Sequence, residues 1–148
     1  MADLDSFLGE LQNTLNEQAK AEYGEDGFER WRKPPHFGRP PATNGQGAST
    51  GDCGDTIWIF LHIEDGTVRD VGFHTDGCAS SQISGSMAAE LALGKQCEDL
   101  TSITGEVVRD QLDSLPENDE HCAWLAANAL HDAAGDYYKR TLHQTKQA

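Results

Sequence analysis

The chain has 148 residues, 37% of them apolar, enough for one domain with a real core and too few to expect two. A formal charge of −14, from 25 acidic against 11 basic residues, argues against a partner with a phosphate backbone, so no nucleic acid is expected. No apolar run reaches the ~18 residues of a membrane span and no basic-then-apolar leader opens the chain, so the expected setting is the cytoplasm or an organelle matrix, with no membrane partner.

Leu4, Phe7, Leu8, Leu11 and Leu15 recur at helical spacing and predict an amphipathic helix over roughly residues 4–21. The Pro- and Gly-rich stretch RKPPHFGRPPATNGQGASTGDCG then reads as a long extended connection with little regular structure. From Thr56 to Ile63 β-branched and aromatic residues predict a strand, Asp65-Gly66 a turn, and Val68 to Thr75 the returning strand. The register is open. A two-residue loop puts Trp58 and Phe60 on the face of Val71 and Phe73, whereas a three-residue loop with a glycine bulge puts Ile57, Ile59 and Leu61 there and leaves Trp58 and Phe60 as a candidate partner face.

Cys78 to about Leu93 reads as a helix with Ile83, Met87, Ala88 and Leu91 on one stripe and Gly94 as its stop. Shorter helical pieces follow near Glu98–Ile103 and Gly105–Leu112. The last helix carries Leu125, Ala129, Leu130 and Ala133 to about Leu142. Its start is either a capping box of Ser114 with Glu117, or a cap at Asn118 or Asp119 before Glu120. The sum is an α+β domain: a small antiparallel sheet, formed by the hairpin at about 56–75 with room for a third strand, packed with helices. A single domain over 1–148 is expected, with 1–29 as a helical extension and 30–142 as the core.

Cys53 lies in the loop entering the first strand of the hairpin, Cys78 where the second strand gives way to a helix, and Cys122 in the first turn of the last helix. Side chains at element ends can reach a shared point. Asp52 and Asp55 flank Cys53 and disfavour its thiolate, so that thiol calls for a compensating cation. A helix N-terminus favours the thiolate of Cys78, and that of Cys122 similarly if the last helix starts near Glu120. Gly54 lets Cys53 and Asp55 approach one ion, and His121 adjoins Cys122, although neighbours on a helix point about 100° apart. Cys53, Asp55, Cys78, His121 and Cys122 are therefore five candidate ligands for four tetrahedral positions, in a set that suits zinc, Cu(I) or an iron-sulfur cluster. A spare member in a mixed set suits exchange.

Other residues have plainer readings. Cys97 in GKQCED reads as an incidental surface or half-buried thiol. His62 and His74 read as strand-surface neighbours, and His36, His131 and His143 carry no partner pattern. The serines of CASSQISGS have no adjacent base to make one a nucleophile, and no Gly-rich cradle with a Lys marks a phosphate site.

GDCGD before a strand, DGCASSQISGS opening a helix and LPENDEHCAWLAANALHDA opening the last helix together resemble the U-type iron-sulfur cluster assembly scaffolds, the family of IscU and the NifU N-terminal domain. RKPPHFGRPPATNGQG resembles the segment before that family's first cysteine, so the likeness spans roughly residues 30–140. The resemblance implies a [2Fe-2S] cluster built from iron and from persulfide sulfur given by a cysteine desulfurase, then passed to apo iron-sulfur proteins. It also implies zinc in the cluster-free form and an iron donor such as a frataxin-like protein.

By the same resemblance Cys53, Cys78 and Cys122 are cluster or zinc ligands, Cys122 is the persulfide acceptor, and Asp55 and His121 are the exchangeable ligands. The family's chaperone-served branch carries a Leu-Pro-Pro-Val-Lys motif before its His-Cys pair. Here Leu115 and Pro116 are followed by Glu117, Asn118 and Asp119, so no Hsp70-type chaperone is expected to bind this loop. The further domains of longer NifU proteins are not seen, and the chain reads as a stand-alone scaffold. Two other readings stand beside it: a zinc-dependent sulfur acceptor resembling the SufU branch, which typically lacks a His before the third cysteine, and a zinc-stapled interaction domain.

Overall fold

The computed structural model describes residues 2–147. Three antiparallel strands, β1 (Gly45–Thr50), β2 (Thr56–Glu64) and β3 (Thr67–Thr75), form a meander in the order β1-β2-β3. The helices are α1 (Ala2–Arg32), α2 (Ala79–Ala92), α3 (Gly105–Gln111) and α4 (His121–Gln147), with 3-10 turns at Cys97–Ser102 and Glu117–Asp119.

The hairpin forms where its residues predict, and its register resolves in an unanticipated way. Asp65 (φ 53) and Gly66 (φ 77) make a two-residue turn, with Glu64 opposite Thr67 and Ile63 opposite Val68. Such left-handed pairs match the twist of the flanking strands. A bulge beyond Ile63 then skips one residue, so Leu61 faces Val71 and Ile59 faces Phe73. The short loop is right, yet the apolar face is Ile57, Ile59 and Leu61 with Val71 and Phe73, all buried against α2 and α4. Trp58 and Phe60 are half-buried on the other face, where Trp58 meets His74 and Arg39 lies over the Phe60 ring.

The stretch read as an extended connection contains β1. Gly45 and Gly47 hide it from a propensity reading, and packing explains them: α4 lies so close that a methyl on Gly47 would overlap the Ala133 nitrogen and sit 2.8 Å from Ala129 O. The outer edge of β1 is also covered, since Gln46 N–H donates to Asp136 Oδ2 (2.9 Å) and Ala48 N–H to Asp132 Oδ2 (3.0 Å), both carboxylates from α4. At the opposite edge Phe73 N–H donates to His36 O and Gly38 N–H to Phe73 O.

The helix expected at 4–21 runs on to Arg32 with a break at Gly24 (φ 77, ψ 172), inside the stretch read as an extension. Asp113 Oδ2 accepts the Asp26 N–H at 3.2 Å and so caps the second half. That half is anchored by Phe28 and by Arg30, whose guanidinium bonds Asp26, Ser86 and Glu90. Burial disfavours the Arg30 charge, but the two carboxylates outweigh it and hold its pKa above the ordinary value. The leading half keeps its apolar stripe in solvent: Leu4, Phe7, Leu8, Leu11 and Leu15 are between 46% and 60% exposed. α2 spans the predicted range, the two shorter pieces form, and α4 extends past Leu142. α4 does not start at the Ser114 capping box; it begins at His121, within one residue of the Glu120 start, after the 3-10 turn at Glu117–Asp119. Cys97 is not a surface thiol. It is 5% exposed, within the core cluster, and burial pushes its pKa up although the Tyr138 hydroxyl bonds it. Among the described residues no helix is long and apolar enough to cross a membrane.

Gly47→Ala should lower the unfolding free energy by about 1–3 kcal/mol, because a methyl must push α4 off β1. Gly9→Ala, where nothing lies within 4 Å, should cost nothing. Urea unfolding of both variants checks this, and equal midpoints would refute the packing account.

Candidate metal centre

Three separate segments bring the candidate ligands to one end of the sheet. Cys53 sits at the tip of the turn between β1 and β2, closed by Gly51 N–H to Asp55 O (2.9 Å) and Gly54 N–H to Gly51 O (3.0 Å), with Gly54 at φ 90. Cys78 is the residue before α2, in extended conformation, and its side chain makes no capping bond to the helix. His121 and Cys122 open α4. Because β1 is clamped to α4, the turn that follows β1 arrives beside the start of that helix.

The side chains form a connected run. Cys53 Sγ is 3.6 Å from His121 Nε2, and Cys122 Sγ is 3.8 Å from the same nitrogen. Adjacent as they are, His121 and Cys122 thus meet at the helix start. His121 Nδ1 lies 3.0 Å from the Asn118 carbonyl oxygen, which can only accept, so Nδ1 carries a proton and Nε2 is the ring nitrogen that faces both sulfurs. On the far side Ser81 Oγ is 3.5 Å from Cys122 Sγ and 3.9 Å from Cys78 Sγ, and it donates to Asp55 Oδ2 at 3.1 Å. Asp55 Oδ2 also takes the Cys78 N–H at 3.4 Å. All five sequence-predicted residues are therefore drawn together, linked through His121 and Ser81. Among the described residues no three His, Cys, Asp or Glu side chains close on a single ion as arranged. The donor chemistry, three thiols with an imidazole and a carboxylate, is that of zinc or iron-sulfur sites.

Burial divides the thiols. Cys53 and Cys78 are exposed, whereas Cys122 is 1% exposed. Burial pushes the Cys122 thiol up to about 12, and Cys78, Asp119 and Cys53 push it further up. The helix N-terminus that should favour its thiolate is outweighed by desolvation, which corrects the expectation from sequence. Cys53 and His121 also line an open cleft of about 490 Å³ with Thr50, Asp52, Trp124 and Leu125.

Sequence reasoning missed the serines. Ser80 Oγ donates to Asp119 Oδ2 at 2.9 Å and is bonded by the Tyr23 hydroxyl, tying α1, α2 and the approach to His121 together. Ser81 stands three residues after Cys78, a spacing that puts both on one helix face and could have flagged it. His131 bonds the Ile103 carbonyl at 2.8 Å, away from this centre.

A family model described as the NifU-like N terminal domain matches residues 22–144. The iron-sulfur cluster assembly scaffold proteins IscU 1 and IscU 2 of Archaeoglobus fulgidus are each 34% identical to the chain over 119 residues, covering 80% of it and 78% of their own length. The solved N-terminal domain of a nitrogen-fixing NifU-like protein from Brucella abortus superposes with a TM-score of 0.61 at 16% identity, covering 78% of this chain and 93% of that one, a likeness of fold.

Proposed function

The chain belongs to the family of NifU-like N-terminal domains and IscU scaffolds, and on that premise we propose that it assembles an iron-sulfur cluster and hands it to apo iron-sulfur proteins. The observation that carries this reading is the convergence of Cys53, Asp55, Cys78, His121 and Cys122 from three segments onto one end of the sheet. The chain acts as one scaffold domain with 30–142 as its working core, in the cytoplasm or an organelle matrix, where its four free thiols stay reduced.

The cargo is a [2Fe-2S] cluster held by the thiolates of Cys53, Cys78 and Cys122. Asp55 and His121 compete for the remaining position, which leaves the hold weak enough to release. Zinc occupies the same donors when no cluster is present, and a bound metal ion keeps coordinating thiols deprotonated. Iron comes from a donor of the frataxin type. Sulfur comes from a cysteine desulfurase: the Cys122 thiolate bonds the terminal sulfur of the enzyme's persulfide, the enzyme's S–S bond breaks, and its cysteine leaves as thiolate. The buried thiol of Cys122 is a poor nucleophile while protonated, so acceptance follows its deprotonation.

Anaerobic reconstitution of the chain with Fe2+, cysteine and a desulfurase tests the reading. The visible spectrum of a [2Fe-2S] cluster that moves to an apo-ferredoxin is expected. Tightly held zinc with no cluster would overturn it in favour of a sulfur acceptor or a zinc-stapled domain, which chelation followed by circular dichroism separates. Asp55→Ala should lengthen the cluster's lifetime several-fold, since an oxygen ligand that admits water is lost; equal or faster loss of the visible absorption would count against this. Cys122→Ser should abolish sulfur acceptance, read as persulfide mass on the intact chain, and persulfide on another cysteine would relocate the acceptor. A purified Hsp70-type scaffold chaperone should show no binding through Leu115 and Pro116; an affinity that falls when both are replaced would contradict that.

A further inference from the structure

Ser81 lies in the first turn of α2 with none of its surface exposed. Its single hydroxyl stands 3.1 Å from Asp55 Oδ2, 3.5 Å from Cys122 Sγ and 3.9 Å from Cys78 Sγ. A carboxylate oxygen can only accept, so the one O–H proton goes to Asp55, and the hydroxyl's lone pairs are left for the two thiols. Asp55 Oδ2 has a second donor in the Cys78 N–H, so two groups from the first turn of α2 hold one carboxylate oxygen.

A neighbouring glycine makes room for this contact. A methyl on Gly77 would lie 2.7 Å from Asp55 Cγ, 2.8 Å from Asp55 Oδ2 and 2.9 Å from Ser81 Oγ. Asp55 itself is half-buried, and without Ser81 its Oδ2 would keep only the longer bond from the Cys78 N–H.

We propose that Ser81 is a positioning residue: its buried hydroxyl pins the Asp55 carboxylate beside Cys78 and Cys122, so that the oxygen donor of the centre is in place before a divalent ion arrives. The proposal rests on the reading of these residues as a metal and cluster site. It assigns Ser81 no bond to the metal; its effect passes through Asp55, as outer hydrogen bonds orient ligating carboxylates elsewhere.

Zinc affinity of the intact chain, measured by competition with a chromophoric chelator and with far-UV circular dichroism confirming the fold, tests this without any cluster chemistry. Ser81→Ala should weaken zinc binding by about 10–100-fold. In the Asp55→Ala background the same change should add no more than about twofold, because the residue it acts through is gone. Ser81→Thr, which keeps the hydroxyl, should restore affinity. Gly77→Ala leaves both side chains intact but forces them apart, and should weaken zinc binding as well; it carries the test if Ser81→Ala does not fold. Zinc affinity unchanged in Ser81→Ala, or in Gly77→Ala, overturns the proposal, as does an equal loss with and without Asp55, or a folded Ser81→Thr no better than Ser81→Ala. If such a result accompanies a wild-type chain that binds zinc or a cluster, only the role of Ser81 falls. A wild-type chain that binds neither overturns the site reading and this inference with it.

Discussion

A helix lies against a strand only as closely as the side chains between them permit, and the near contact of α4 with β1 decides where the candidate donors of the proposed metal centre meet. Gly45 and Gly47 have no side chain to hold α4 away. Asp132 and Asp136, one turn apart on that helix, take the N–H groups of Ala48 and Gln46 that an edge strand would otherwise leave to water or to another chain. β1 is thus paired on one side with β2 and on the other with the side chains of a helix. Since β1 runs into the Cys53 turn and α4 begins with His121, the same clamp sets the distance from Cys53 to His121.

This use of carboxylates recurs, and it gives the acidic composition a structural content beyond its net charge. Asp113 caps the second half of α1 at Asp26 N, Asp76 accepts the Thr56 N–H at the entry to β2, and Asp55 accepts the Cys78 N–H at the entry to α2. Each acid closes a backbone donor at the end of a strand or helix, the places where such donors lack regular partners. Asp55 is the member of this group that also belongs to the proposed metal centre. Its Oδ2 serves the start of α2, and in the proposed function the carboxylate so oriented lends an oxygen to the cargo.

Much of this was legible in the sequence where a side chain announces its own environment. The alternation from Thr56 to Thr75, the stripe of Ile83, Met87 and Ala88, and the three cysteines at element ends all carry their signal locally. What escaped has its cause elsewhere in the chain. β1 is glycine-rich because of α4, about 85 residues further on, and no local propensity could expose it. The face of the hairpin depended on a bulge past Ile63, which a reading of loop length alone cannot place. The break at Gly24 coincides with a cap from Asp113. Cys122 was expected to gain from its helix N-terminus, but its burial depends on how α2 and α4 pack, which no motif encodes. Nothing in CASSQISGS marks Ser81 as a hydrogen-bond donor, because its acceptor, Asp55, stands 26 residues earlier in the chain.

The chemistry at position 81 also bears on how firmly the centre can hold anything. Three thiols and one more thiolate would make the kind of closed set that structural zinc sites use. Here the side chain that reaches the middle of the donor group is a hydroxyl, too weak a ligand to compete with sulfur for a soft metal. It contributes hydrogen bonds instead, to a carboxylate that is itself an exchangeable donor. On the opposite side the imidazole of His121 faces two sulfurs at once, 3.6 Å from one and 3.8 Å from the other, and so is committed to neither. In the proposed centre, three thiols, an imidazole and a carboxylate with a hydroxyl between them would accommodate more than one cargo without closing on any, which is the property a carrier requires and a structural staple does not.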